Sequence, residues 1–223
     1  MAAQLDNPYH GVPLLLSHRV GTHLETADRE IVLTFDDGPH PDASGPILDL
    51  LARYGARATF FLIGHNVRRY PDLVRRMQAE GHTLGNHTDT HPKLPEIDTL
   101  RLRTELEACQ DAIKAASGAA PTLFRPSYGR YDDRVLAECD RLGLRVVQWS
   151  AMVWDWLAPS VEDAVTAFSA QLAPGAILLL HDGSNIRRDS RAATVALLGP
   201  LLERARDQGF RVVPLGDRLA WLR

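Results

Sequence analysis

Asp36 and Asp37 are adjacent carboxylates in Thr34-Phe35-Asp36-Asp37-Gly38-Pro39, His87 and His91 stand four apart in Asn86-His87-Thr88-Asp89-Thr90-His91-Pro92, and His181 follows Leu179-Leu180 and precedes Asp182-Gly183. Carboxylate and imidazole are donors suited to Zn²⁺ or a similar divalent ion. Three protein ligands leave a position open for water, which separates a catalytic metal site from a closed structural one. The set suffices for a metal-assisted hydrolase. Cys109 and Cys139 play no part in it: both fall on apolar stripes, Cys109 with Leu102, Leu106 and Ile113, and read as core thiols.

Taken alone, each segment also has an ordinary structural reading. Asp-Asp-Gly-Pro is a common turn, and two histidines four apart are often solvated or packed. Together they divide the labour. At a strand's end the backbone turns, so one of two adjacent carboxylates can bind metal while its neighbour faces the substrate water. His87 and His91, spaced as on one helical turn within a loop bounded by Gly85, Asn86 and Pro92, complete with Asp37 a His, His, Asp set. A metal there would acidify water and polarise a carbonyl oxygen. His181, at the mouth of a buried strand, suits a general acid for a leaving nitrogen. Asp155 is the carboxylate expected to keep it protonated, and Arg125 the cation expected to hold the base, Asp36, ionised. Tyr128 and Gly129 can offer backbone N–H groups to a developing oxyanion. Trp149, Trp154, Trp156, Tyr128 and Tyr131 are either core or a shelf for sugar faces. His10, His18, His23, His40, His65 and His82 read as solvated or structural, and the run Arg187-Arg188-Asp189-Ser190-Arg191 as a solvated approach to a helix.

The elements that must position these groups follow from the rest of the chain. With 223 residues, 45% of them apolar and 24% charged, it fits one globular domain, and α/β barrels commonly use this length. The net charge of -3 supplies no overall basic field for nucleic acid, and no apolar run approaches the ~20 residues that span a bilayer. The N-terminus has no basic segment ahead of its apolar stretch, so a cytoplasmic location is expected unless an export signal has been removed. No oligomeric state is implied. From Ile31 on, β-branched or aromatic runs alternate with amphipathic ones, predicting strands at 31–35, 58–63, 83–86, 122–125, 145–149, 176–180 and 211–214. Helices are predicted at 46–53, 71–80, 97–116, 132–142, 161–172 and 192–208, with a short one at 217–222. Residues 1–30 stand apart as an arm or hairpin, leaving 31–223 as the catalytic domain. Each polar cluster begins where a strand ends or slightly beyond. In a parallel α/β barrel those ends share one face, so distance along the chain is no obstacle.

These motifs resemble the polysaccharide deacetylases of carbohydrate esterase family 4. The resemblance runs from about Ile31 to Leu219 and rests on Thr34-Phe35-Asp36-Asp37-Gly38, His87-Thr88-Asp89-Thr90-His91, Arg125-Pro126-Ser127-Tyr128-Gly129, Asp155-Trp156 and Leu179-Leu180-His181, in the family's order. It implies a distorted (β/α)7 barrel in which Asp37, His87 and His91 bind one divalent metal, Zn²⁺ first with Co²⁺, Ni²⁺ or Mn²⁺ as alternatives. By the same resemblance Asp36 is the base, tuned by Arg125, and His181 the acid, tuned by Asp155. Tyr128 gives its N–H to the oxyanion hole, Trp156 shapes the groove, and Leu179 lines the pocket for the acetyl methyl. The implied substrate is an N-acetylated β-1,4-linked N-acetylglucosamine glycan, chitooligosaccharide or peptidoglycan. Acetyl xylan or another small amide is the alternative within the class, and a non-catalytic glycan-binding module the alternative outside it. Ser127 stands where Pro is common, and Met152 where many members have Asp, departures that bear on substrate preference.

Overall fold

The strand Glu30–Asp36 is buried along its whole length because its two faces meet different surroundings. Ile31, Leu33 and Phe35 pack in a large apolar cluster with helix residues such as Leu48 and Leu198. Val32, on the opposite face, packs with Phe61, Leu123, Val147 and Ile177. Burial on both faces is the signature of a parallel sheet covered by helices. The computed structural model describes residues 20–153, 155, 160–184, 191–216 and 218.

Its strands are β1 (Val20–Gly21), β2 (Glu30–Asp36), β3 (Thr59–Leu62), β4 (Thr83–Asn86), β5 (Leu123–Phe124), β6 (Arg145–Val147), β7 (Ala151–Met152), β8 (Ile177–His181) and β9 (Arg211–Val212). They form a nine-stranded sheet in the order β1-β6-β5-β4-β3-β2-β8-β7, with β9 beside β2, and the strand pairs are parallel. Residues from β6 to β7 curl this sheet back on itself. β6 pairs with β5 and β7 with β8, and between them the Gln148 and Ser150 N–H groups donate to Gly21 and Ile177. The result is the expected single-domain α/β barrel.

The helices are α1 (Ser44–Arg53), α2 (Gly64–Arg69), α3 (Pro71–Ala79), α4 (Thr99–Ser117), α5 (Asp133–Leu142), α6 (Val161–Gln171) and α7 (Ala192–Asp207). Local chemistry marks several ends. Asp98, Asp132 and Ser160 accept backbone N–H bonds at the starts of α4, α5 and α6, while Gly118 and Gly143 turn left-handed after α4 and α5.

Three differences from the sequence pattern have physical causes. The strand expected at 145–149 ends at Val147 as β6 and an unexpected β7 follows at Ala151–Met152, because the chain must change neighbours to curl the sheet. Helix α2 was not expected: it is one short turn-and-a-half opening on glycine, a poor helix former. Gly64 is nevertheless suited to its place, since a Cβ there would lie 2.9 Å from the Cys109 Cα of α4. Finally, β1 adds to the sheet beside β6, and Leu24, fully buried, donates its N–H to Gly175. The helix expected at 217–222 lies, apart from residue 218, outside the described residues. Cys109 and Cys139 are buried free thiols, each pushed up to about 12 by burial. No helix among the described residues is long and apolar enough to cross a membrane.

Candidate active site

Strand alternation fills the barrel interior in layers. Val32, Phe61, Leu123, Val147 and Ile177 form an apolar cluster; two residues beyond Val32, Leu123 and Ile177 along the chain come Thr34, Arg125 and Leu179, and two beyond Thr34 and Leu179 come Asp36 and His181. Register sets Thr34 opposite Leu179 and Asp36 opposite His181. Arg125 is fully buried beneath this rim. Its Nη1 donates to Thr34 Oγ1 at 2.7 Å and Asp36 Oδ1 at 2.8 Å, its Nε to the Val147 carbonyl at 3.2 Å and its Nη2 to that of Gln148 at 2.9 Å. The guanidinium also lies 4.1 Å from the Phe61 ring centre. That ring fits because Gly85 carries no Cβ, which would sit 2.4 Å from it.

Asp37, His87 and His91 converge just beyond the ends of β2 and β4. All three are buried, and one ligand atom from each lies within 4.8 Å of the others. Asp37, Thr88, His91 and Tyr128 have positive φ values of 73°, 68°, 59° and 57°, a concentration of left-handed non-glycine backbone typical of functional sites. The imidazoles therefore converge through an irregular loop, not a helical turn. The His87 Nδ1 lies 2.7 Å from the Arg125 carbonyl. A carbonyl only accepts, so Nδ1 carries a proton and Nε2 is the ring nitrogen that faces Asp37. Asp37 Oδ1 is 3.5 Å from His87 Nε2 and 3.3 Å from His91 Nε2, and it is buried with no hydrogen-bond partner. Such an orphaned anionic oxygen beside two imidazole nitrogens fits a divalent cation. Burial alone would raise the Asp37 pKa, but the surrounding histidines hold it well below the usual carboxylate range. Burial pushes His91 down to about 4, so it is neutral and able to donate a lone pair at neutral pH.

The loop from His87 to His91 is held from α4. Asn86 Nδ2 donates to the Leu106 carbonyl, while its Oδ1 accepts from Thr88 N–H. Glu105, buried, accepts the N–H groups of Asp89 and Thr90 at 3.1 and 2.8 Å and the Thr90 hydroxyl at 2.6 Å.

On the opposite side His181 Nδ1 lies 3.0 Å from Asp155 Oδ1, and Asp155 Oδ2 accepts from His181 N–H and Thr194 Oγ1 at 2.9 and 2.6 Å. Burial works against the charged imidazole, yet Asp155 outweighs it and the His181 pKa is raised. Asp155 is lowered in turn, its burial opposed by His181 and Thr194. Tyr128 packs its ring on His91, centroids 4.4 Å apart. Gly129 is a correction: its N–H is donated to the Pro126 carbonyl inside the turn Ser127–Gly129, so of the two N–H groups expected for an oxyanion only that of Tyr128 stays a candidate. Leu179, 4% exposed, shares the interior face with His181. Trp149 packs against the interior cluster and Tyr131 against an outer one, whereas Trp154 and Trp156 lie outside the described residues.

Two residues near the site were given no role by sequence reasoning. Asp182 is fully buried, accepts from Ser44 Oγ at 2.5 Å, and is pushed up to about 7 by burial. Its oxygens occupy the place a Cβ on Gly38 would take. Arg191, expected to be solvated, is instead turned inward with its side chain only 10% exposed, its guanidinium 3.8 Å from Asp37 Oδ2. The remainder of that run, residues 187–190, lies outside the described residues. In each case the signal was weak, because the partner is remote in sequence.

One rim thus presents a cation-ready Asp-His-His set, a carboxylate held by a buried arginine, and an imidazole held by a buried carboxylate, a combination suited to hydrolysis of an acyl group. Comparison with known proteins is consistent with this chemistry. The sequence profile described as polysaccharide deacetylase matches residues 23–147. A chitooligosaccharide deacetylase of Rhizobium leguminosarum bv. trifolii is 46% identical over 156 residues, 70% of this chain and 73% of that protein. A solved peptidoglycan N-acetylglucosamine deacetylase superposes with a TM-score of 0.84 at 29% identity, covering 90% of this chain and 92% of its own. A family 4 carbohydrate esterase from Streptomyces lividans, solved with acetate, gives 0.78 at 29% identity, covering 88% and 97%.

Proposed function

The chain belongs to the polysaccharide deacetylase family, and from that premise we propose that it is a metal-dependent hydrolase removing N-acetyl groups from β-1,4-linked N-acetylglucosamine glycans, chitooligosaccharide or peptidoglycan. The observation that carries the metal-dependent reading is the buried, unpartnered Asp37 Oδ1 facing the Nε2 atoms of His87 and His91. Asp37, His87 and His91 would hold one divalent ion, Zn²⁺ first with Co²⁺, Ni²⁺ or Mn²⁺ as alternatives, which supplies Lewis acidity toward the acetyl carbonyl and the attacking water.

The chain's own residues supply the proton transfers. Asp36, held by Arg125 Nη1 at 2.8 Å, takes a proton from water as it attacks the amide carbon. The Tyr128 N–H stabilises the oxyanion. His181, its Nδ1 engaged by Asp155, gives a proton from Nε2 to the departing nitrogen. Cleavage of the C–N bond releases acetate and leaves a free amine on the sugar. Leu179 lines the acetyl pocket.

The test is acetate release from N-acetylchitopentaose by protein stripped of metal and reloaded with Zn²⁺ or Co²⁺, with acetylated xylan in parallel. Metal-dependent release from the chitooligosaccharide supports the reading. Release from xylan alone would replace it with O-deacetylation, and saturable sugar binding without acetate from either would point to a binding module.

A further inference from the structure

Arg191 precedes α7 with a left-handed φ of 50°, a conformation uncommon for a side-chain-bearing residue. Its guanidinium is directed into the site. Nε donates to the Gly183 carbonyl at 2.5 Å, while Nη2 lies 3.8 Å from Asp37 Oδ2. Gly183 is itself pressed on Asp37: a Cβ there would lie 2.2 Å from the Asp37 carbonyl oxygen. The loop after β8 is thus seated directly against Asp37, and Arg191 ties the two together. One turn further along α7, Thr194 holds Asp155 Oδ2 at 2.6 Å, so the start of this helix reaches carboxylates on both sides of the site.

The two oxygens of Asp37 consequently face different partners. Oδ1 faces His87 and His91 at 3.5 and 3.3 Å with no hydrogen bond, and Oδ2 faces Arg191. The backbone carbonyl of Asp37 is held separately by Asn66 Nδ2 at 2.9 Å. We propose that Arg191 is a positioning residue for Asp37: anchored to the Gly183 carbonyl, its guanidinium holds the second carboxylate oxygen so that the first is presented to a divalent ion together with His87 and His91. The inference rests on the metal-binding part of the proposed function. It gives Asp37 an outer ion-pair partner, where His87 has a hydrogen-bonded one in the Arg125 carbonyl at 2.7 Å, and outer partners of metal ligands commonly govern metal affinity by about 10–100-fold. The planar guanidinium hydrogen-bonds the Gly183 carbonyl through Nε while Nη2 forms an ion pair with Asp37 Oδ2 at 3.8 Å; a lysine ammonium carries the same charge on a single nitrogen.

Charge and positioning predict opposite signs. Removing a positive charge beside a cation site would tighten binding, whereas removing the group that orients a ligand loosens it. The experiment compares the wild-type chain with Arg191→Met and Arg191→Lys, each stripped of metal, titrated with Zn²⁺ in competition with a chromophoric chelator, and checked for folding by its metal-free unfolding midpoint. The expected result is Zn²⁺ binding weakened about 10–100-fold in Arg191→Met and at least about 10-fold in Arg191→Lys. Unchanged or tighter binding in Arg191→Met, or wild-type affinity in Arg191→Lys, would overturn the proposal. Arg191→Lys decides the matter if Arg191→Met does not fold. Wild-type protein that binds Zn²⁺ but releases no acetate would overturn the proposed activity and leave this inference standing. A wild type that binds no Zn²⁺ would overturn both.

Discussion

Arg125 meets Asp36, Thr34 and two backbone carbonyls from one fully buried guanidinium, while its own carbonyl orients His87. One residue therefore couples the proposed base to a histidine of the candidate metal set. Asp36→Asn keeps an acceptor for Arg125 but removes the base, so turnover is expected to fall about 10²–10⁴-fold. Zn²⁺ affinity, measured by chelator competition, should change little in that variant, since Asp36 is not in the ligand set; full activity would exclude Asp36 as the base. A general acid works only while protonated, so activity should fall as pH rises through the pKa of His181, which is raised mainly by Asp155 against the effect of burial. Asp155→Asn removes that support. The alkaline limb of the kcat/KM profile should then move to lower pH, and an unmoved limb would separate Asp155 from His181. At this scale the chemistry-bearing residue types were legible as strand-end motifs. Arg191 was not, because a charge in a polar run carries no sign of whether it turns inward.

Elements decide how firmly the histidine loop is held. The amphipathic pattern of α4 is plain in sequence, but the pattern does not reveal that Glu105 accepts two backbone N–H groups and a hydroxyl from the loop between the histidines. Glu105→Ala would leave those donors buried without their acceptor, and unmet buried hydrogen-bonding groups cost about 1–3 kcal/mol. A loss of about 2 kcal/mol is expected in urea unfolding of the metal-free protein, together with weaker Zn²⁺ binding as Thr88 and His91 relax from their left-handed conformations. Undiminished stability would show that the carboxylate is dispensable to the loop. Most helices were legible because their apolar spacing and caps are local signals. Helix α2 was not: six residues beginning on glycine give too little periodicity, and what keeps it helical is its seat against α4.

For the whole molecule, the proposed ligands come from the ends of β2 and β4, strands joined through β3. An unfolded chain cannot reproduce that convergence, so a metal bound only by the native state must stabilise it. Zn²⁺ at 100 times its Kd should add about 2.7 kcal/mol to the unfolding free energy. A denaturation midpoint insensitive to Zn²⁺ and to chelator would contradict the metal site. The β-α alternation, the strand-end placement of Asp36, Asp37, His87, Arg125 and His181, and the family's motifs were all determined by the sequence itself, because residue type and the periods of 2 and 3.6 are local properties. The division of residues 145–152 between two sheet neighbours, the loss of the Gly129 N–H to an internal turn, and the contacts Arg191–Asp37, Glu105–Thr90 and Ser44–Asp182 were decided only by the tertiary structure. Periodicity records that a face is buried but not what it is buried against, and those partners are set by the curvature that brings the strand ends onto one rim.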